Sequence, residues 1–302
     1  MRVGFSLLRG GGGPTIFMSR LRKSLAAIPE IRTTSFLDPR ADVLLFANAV
    51  RNVWRRPYVL RMDGIYFDLA LGEVEIDRRN AFYLKAMQGA SGLVIQSRYN
   101  HDFIDQHLGI PDIPVTVINN GVDLSRFSPN GASRREALGI PRDATVFIAS
   151  AKWRSHKRLP ATLDCFARFR KRNKVDARLL VLGEVLEKPK HVPEGVQFVG
   201  HTPHDELPEF YRTADVCLFL SWLDNCPNTV VEALACGLPV LCSNQGGTRE
   251  LVELTQGGVV AEADNPYAFE RVKLYESPNR YTGRHQFPGD ARLAKQPGHD
   301  PA

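Results

Sequence analysis

The sequence predicts an α/β protein built of two Rossmann-like, doubly wound domains facing a cleft. Three observations carry this expectation. Short apolar runs of strand length alternate with amphipathic helical stretches, the pattern of parallel βαβ units. The turn-rich segment Ser128–Ser133 divides that alternation into two series. The composition is that of an ordinary globular protein, with 302 residues, 43% of them hydrophobic and 24% charged, enough chain for two medium domains.

In the first series, Val3–Leu8 reads as a strand, followed by the glycines Gly10–Gly13. Pro14 then marks a helix start, and Ile16, Phe17, Leu21 and Leu25 supply an apolar stripe at helical spacing. Val43–Ala47, Tyr58–Arg61, Leu93–Gln96 and Val115–Ile118 read as strands. Ala81–Gln88 and Arg98–Leu108 read as helices, the second stopped by Gly109. In the second series the strands are Thr145–Ser150, Arg178–Leu182, Val196–Val199, Val216–Ser221 and Pro239–Ser243. Its helices are Leu159–Lys171, Asp205–Thr213, Thr229–Cys236 and Thr248–Leu254. The expected division is residues 1–130, residues 131–264, and a Pro- and Gly-rich aperiodic tail over 265–302 that reads as disordered.

A net charge of +6 and a pI near 9.1 suit phosphorylated ligands or an anionic membrane surface. The basic clusters, Arg168–Lys174 among them, lack the aromatic interleaving of a nucleic-acid surface and read as solvated faces, so no nucleic-acid partner is expected. The five cysteines include no C-x-x-C pair and sit mostly in apolar surroundings, which fits buried thiols in a reducing compartment. Cys226 has no base nearby in sequence and is not expected to be a nucleophile. The N-terminal apolar run is short and broken by glycines, and no stretch approaches membrane-spanning length. A cytoplasmic location follows as the expectation, with peripheral contact at the inner membrane face left open.

The most informative stretch is Ser221–Gly247, SWLDNCPNTVVEALACGLPVLCSNQGG. Asp224 and Glu232 stand eight positions apart across a Pro-containing turn and a helix start. That spacing sets one carboxylate in the loop before the helix and the other about one turn inside it. The N–H groups of the first turn, at Asn228, Thr229 and Val230, lie between them and form an anion cradle with the positive end of the helix dipole. Carboxylates flanking such a cradle accept hydrogen bonds from sugar hydroxyls. A sugar phosphate or nucleotide sugar is the ligand this chemistry fits. Blander readings stand beside the sharp one. Asp224 is also a residue type that caps helices, Lys152 and Lys157 are also surface lysines, and Gly10–Gly13 is also a tight turn. Asp63 before Gly64 is also a turn aspartate, and His156 and His201 read as loop or surface residues.

At this point four segments resemble one family. They are Asn119–Pro129 (NNGVDLSRFSP), Ser150–Leu159 (SAKWRSHKRL), Gly200–Ser221 (GHTPHDELPEFYRTADVCLFLS) and Asp224–Gly247. In this order they are similar to glycosyltransferase family 4, the retaining enzymes of GT-B fold among the glycosyl transferases group 1. The likeness covers roughly residues 1–260 and is stronger in the second half. The resemblance implies that Glu232 accepts from the nucleotide ribose. It implies that Asp224, where the family usually carries Glu, orients the donor sugar with shorter reach. It also implies that the family's cation pair falls on Lys152 and Lys157, with Arg154 as an alternative to Lys152 and Asn225 beside the donor. Gly12 and Gly13 match the first-domain phosphate-approach loop, and Asp63 stands near the place of a first-domain catalytic histidine.

The expected activity is metal-independent transfer of a sugar from a UDP- or GDP-linked donor to a glycan or lipid-linked acceptor hydroxyl, with no separate cofactor. Asp224, Lys157 and Asp63 are the expected catalytic residues. No cluster of His, Cys or acidic residues has metal-ligand spacing. The alternatives are a weakly active or inactive nucleotide-sugar-binding homologue and another GT-B enzyme such as an epimerase. A nicotinamide oxidoreductase is disfavoured, because the first glycines lack the G-x-G-x-x-G spacing.

Overall fold

In a computed structural model of the chain, residues 1–6, 13–48, 50, 56–66, 73–186, 189–221 and 223–263 are described. Gly10–Gly12, Leu7 and Leu8 of the first expected strand, and the 265–302 tail lie outside these residues. The chain divides into two compact units between Asn119 and Asn120. Phe127, fully buried, packs in the core of the second unit with Tyr211 and Val230. That anchoring sets the Ser128–Ser133 segment, where the sequence puts the linker, inside the second unit instead.

The first unit holds a six-stranded parallel sheet in the order β2-β1-β3-β4-β5-β6. Its strands are β1 (Arg2–Phe5), β2 (Arg32–Ser35), β3 (Val43–Ala47), β4 (Tyr58–Met62), β5 (Gly92–Ile95) and β6 (Val115–Val117). Among the described residues three helices connect them, α1 (Gly13–Ala26), α2 (Glu73–Gln88) and α3 (Arg98–Leu108). α3 forms where its caps predict: Ser97 Oγ accepts from the Asn100 N–H at 2.9 Å, and Gly109 ends the helix at φ 73°. The sequence reading omits β2, whose Arg-Thr-Thr-Ser carries no apolar residue, and it begins α2 eight residues late, at Ala81. β2 forms because it is an edge strand that needs only backbone pairing with β1.

The second unit repeats the scheme in the order β12-β11-β10-β7-β8-β9, again parallel. Its strands are β7 (Thr145–Ser150), β8 (Ala177–Leu182), β9 (Val196–Gly200), β10 (Val216–Phe219), β11 (Val240–Ser243) and β12 (Gly258–Ala261). Its helices are α4 (Leu159–Asn173), α5 (Leu207–Thr213), α6 (Asn228–Ala235) and α7 (Thr248–Thr255). Central strands β7 and β8 are almost wholly apolar and covered on both faces, as parallel strands require. One layer of core joins Val146, Ile148, Leu180 and Leu182 to α5, α6 and α7, and the opposite layer joins Ala149, Leu179 and Val181 to α4. β12, glycine-led and half exposed, is the second strand the sequence reading misses.

The order of these strands sets the place of a ligand site. From β7 the chain winds outward through β8 and β9, then returns to the other side of β7 with β10. The winding direction reverses between β7 and β10. In open α/β sheets, ligands bind outside the carboxyl ends of the strands at such a reversal.

Candidate donor site

The two loops that leave the reversal carry Lys157 and Asp224. After β7, a short 3-10 turn, Ser155–Lys157, precedes the left-handed Arg158, φ 56°. The turn is stitched to the end of β10: Ser221 Oγ donates to the His156 carbonyl at 3.2 Å, and the Arg158 guanidinium donates to the Leu220 carbonyl at 3.4 Å. Ser243 Oγ at the end of β11 donates to the Ser221 carbonyl at 3.1 Å. These bonds hold Lys157 over the Phe219 ring, 5.5 Å from its centroid, and bring its ammonium onto Asp224 Oδ2 as an ion pair. The Asp224 backbone is fixed from the other side, because its carbonyl accepts from the Gly247 N–H at 2.8 Å. Both side chains are about four-fifths covered, with 17% and 20% exposed, so the pair is screened less than a surface bridge.

His156, beside Lys157, is 7% exposed. Burial lowers its pKa to about 4, and the Lys157 and Arg154 charges push the same way while Asp224 opposes. The imidazole is therefore neutral at pH 7.

Helix α6 begins at this point. Pro227 precedes it and no side chain caps it, so the N–H groups of Asn228 and Thr229 open the helix without a capping partner. Val230 departs from the expectation: its N–H turns back to the Pro227 carbonyl at 3.1 Å, and its side chain is fully buried core. The tight first turn, closed by the proline carbonyl, takes that donor away from a ligand. Thr229 Oγ1 donates to the Ser150 carbonyl at 3.2 Å and ties the helix start to β7. Asn225 is half-buried in the loop between Asp224 and α6.

The expected cation pair does not assemble as a pair. Lys152 lies at the surface, 58% exposed, and bridges Glu184 at 3.2 Å. Arg154 is exposed at the start of the 3-10 turn. The reason is local: Trp153 pairs with Val185 and its ring N–H donates to the Leu182 carbonyl, which aligns Lys152 beside the loop after β8. Glu232 occupies the second turn of α6 but is only 4% exposed, bonded within the protein.

In the first unit, Asp63 follows β4 and is embedded in a polar network. Arg61 Nε donates to its Oδ1 at 2.7 Å, Asn48 donates to Oδ2 at 3.3 Å, and the Asp63 N–H donates back to Asn48 Oδ1 at 2.9 Å. The Gln96 amide donates to the Asp63 carbonyl and accepts from Arg61 at 3.3 Å. Arg61 itself is 1% exposed and stacks on Phe17. Burial raises the Asp63 pKa, against the lowering pull of Arg61 and Asn48. Gly13 opens α1, and Gly12 lies outside the described residues. Asn48, Arg61 and Gln96 were not singled out in the sequence. Their signal was weak: each is a polar residue at the carboxyl end of an apolar strand.

Among the described residues, no group of three or more His, Cys, Asp or Glu is placed to hold a metal ion. No helix among them is long and apolar enough to cross a membrane.

The family model described as Glycosyl transferases group 1 matches residues 132–275, nearly all of the second unit. The chain is 28% identical over 185 residues to D-inositol 3-phosphate glycosyltransferase 2 of Catenulispora acidiphila, covering 55% of this chain and 43% of that one. It thus spans less than half the length of this curated relative. Among solved structures it is similar to sucrose-phosphate synthase from Thermosynechococcus elongatus, with TM-score 0.69, 16% identity, and 87% and 86% of the two chains covered. It is also similar to Anabaena HepE in complex with UDP-glucose, with TM-score 0.64, 18% identity, and 88% and 86% covered. These likenesses establish the fold as that of the GT-B glycosyltransferases, two parallel-sheet Rossmann-like units.

Proposed function

We propose that this chain is a retaining glycosyltransferase of family 4 that moves a sugar from a nucleotide-diphosphate sugar to an acceptor hydroxyl without a metal ion. The observation that carries the reading is the Lys157–Asp224 pair at the uncapped start of α6, on the reversal point of the second sheet. The match of the second unit to the glycosyl transferases group 1 model supports the reaction class. The four motifs that resemble family 4 support retention. The UDP-glucose held by HepE supports a nucleotide sugar as donor.

In this reading the diphosphate lies at the N–H groups of Asn228 and Thr229. Lys157 leaves Asp224 to meet it, with Arg154 and Lys152 as further cations of the same loop. Asp224, released, accepts from a hydroxyl of the donor sugar, and Asn225 lies beside it. The bond from the anomeric carbon to the diphosphate oxygen breaks as the acceptor oxygen bonds to the same face. The acceptor proton passes to the leaving diphosphate. Lys157 is catalytic because negative charge grows on that diphosphate, and a positioned cation in a half-buried site stabilises it. The first unit takes the acceptor, a glycan or lipid-linked glycan, with Asp63, held by Arg61 and Asn48, as its carboxylate and Gly12 and Gly13 as its backbone approach.

The test is release of nucleoside diphosphate from a panel of UDP-, GDP- and ADP-sugars. Lys157→Ala is expected to lower kcat by roughly 10²–10³, and Asp224→Asn to lower it while strengthening UDP or GDP binding by unpairing Lys157. EDTA is expected to change nothing, and product NMR to show the donor's anomeric configuration. Turnover that is equal in wild type and both variants would sink the site, and an inverted product would sink retention.

A further inference from the structure

The segment Asn119–Pro129 opens on two asparagines whose side chains go to different partners. The division between the two units falls between them. Asn119 Nδ2 donates to the Gln96 carbonyl, just after β5, at 2.9 Å, within the first unit. Asn120 Nδ2 donates to the Cys226 carbonyl at 2.7 Å, a bond that joins residues 106 positions apart within the second unit. The grip is double, because the Asn120 N–H donates to Cys226 Sγ at 3.2 Å. Cys226 is 3% exposed, which keeps water from competing for either bond.

Cys226 stands two residues after Asp224 and directly before Pro227, which opens α6. The Cys226–Pro227 peptide has no N–H, so its carbonyl is the polar group by which the protein can orient that peptide plane. The plane in turn sets the direction in which the N–H groups of Asn228 and Thr229 open. The Asp224 carbonyl is held by the Gly247 N–H at 2.8 Å. The loop is thus fastened at two carbonyls, one on either side of Asn225.

We propose that Asn120 is a positioning residue of the donor site: through the Cys226 carbonyl it fixes the segment that carries Asp224 and the first N–H groups of α6. It acts through the peptide and not by touching a ligand. On the nucleotide-sugar reading above, on which this assignment rests, its loss falls on the diphosphate and spares the nucleoside. Asn119 is the matching control. It is the same side chain one residue earlier, yet it reaches Gln96, whose amide donates to the Asp63 carbonyl in the first unit.

Calorimetry on the full chain tests this with UDP and GDP, each beside its nucleoside, uridine or guanosine. Asn120→Ala is expected to weaken nucleoside diphosphate binding about tenfold, the worth of one buried hydrogen bond, and to leave nucleoside binding within about twofold of wild type. A merely structural role would weaken both alike, and that result overturns the proposal. Asn119→Ala is expected to keep the wild-type ratio of nucleotide to nucleoside affinity. A fall in that ratio as large as the one in Asn120→Ala overturns the proposal too. Asn120→Asp, isosteric but without the donor, is expected to reproduce the loss, and it carries the comparison should Asn120→Ala not fold. Amide exchange of the free protein gives a second reading. Asn120→Ala is expected to speed exchange in residues 224–229, and Asn119→Ala in residues 61–64 and 96–98. Unchanged exchange at 224–229 in Asn120→Ala overturns the assignment. Failure of both nucleotides to bind wild type strikes the glycosyltransferase reading and this proposal together, whereas equal binding by wild type and Asn120→Ala strikes this proposal alone.

Discussion

Lys157 holds its place through its neighbours more than through its own charge. The bonds from Ser221 to the His156 carbonyl and from Arg158 to the Leu220 carbonyl tie the residues on both sides of it to the segment that follows β10. The Asp224 pair then neutralises an ammonium that burial would otherwise penalise. In the proposed function an arriving diphosphate replaces one carboxylate partner with another anion, at a site whose charge and shape the protein has already set. His156 completes this arrangement as a neutral wedge, and its titration is a check on it. Its folded pKa, about 4, lies below the ordinary 6.5. Between those values the unfolded chain binds a proton that the folded chain refuses, so this group's contribution to stability is full above 6.5 and is lost as pH falls toward 4. The urea-unfolding gap between wild type and His156→Asn is therefore expected to narrow over that window, and a gap constant with pH would show that burial does not set this pKa. Residue identities were legible here only in part. Asp224 was readable because Pro227 and the apolar helix after it fix where a loop ends. Lys152 and Lys157 were not separable, since both follow one strand and only the cross-strand bonds of Trp153 and Ser221 aim them apart.

Elements that are short continuous apolar runs or that cap their own ends were the ones the sequence placed well. Val43–Ala47, Thr145–Ser150 and Arg98–Leu108 fall on the expected residues. β2 and β12 escape because an edge strand is stabilised by backbone pairing to its neighbour, which leaves little trace in side-chain pattern. The 3-10 turn before α4 escapes for the same reason, its geometry being set by the ends of β7 and β10. One glycine shows how tightly these connections are drawn. Gly183, at φ 98° where β8 ends, would place a Cβ 1.9 Å from the Ala151 carbonyl oxygen. It also donates its N–H to the Gly200 carbonyl at 2.7 Å. Gly183→Ala is expected to cost about 3 kcal/mol, from a left-handed backbone and a clash with backbone that cannot yield. Urea denaturation should show a lower midpoint at unchanged slope, and a midpoint within error of wild type would refute the argument.

Across the molecule, two sheets of the same parallel kind each reverse their winding beside their first strand, between β1 and β3 in one unit and between β7 and β10 in the other. The donor site proposed here lies wholly in the second unit, on two segments distant in sequence. Ligand should therefore stabilise those segments together. At a hundred times its Kd, UDP or GDP is expected to add about 2.7 kcal/mol of protection against amide exchange in residues 154–158 and 224–232, read by mass spectrometry. Protection confined to other parts of the chain would move the site.

The sequence by itself determined the fold class, the repeat of the fold along the chain and the loops that carry Lys157 and Asp224, because strand–helix alternation, turn residues and helix starts are local properties of a chain. It did not determine which side chains meet. Tertiary structure decided that Lys157 and not Lys152 reaches Asp224, that Val230 spends its N–H on Pro227, and that Glu232 lies buried and bonded within the protein. The order in which strands pair sets these contacts, and pairing order depends on packing between residues that lie far apart in the sequence.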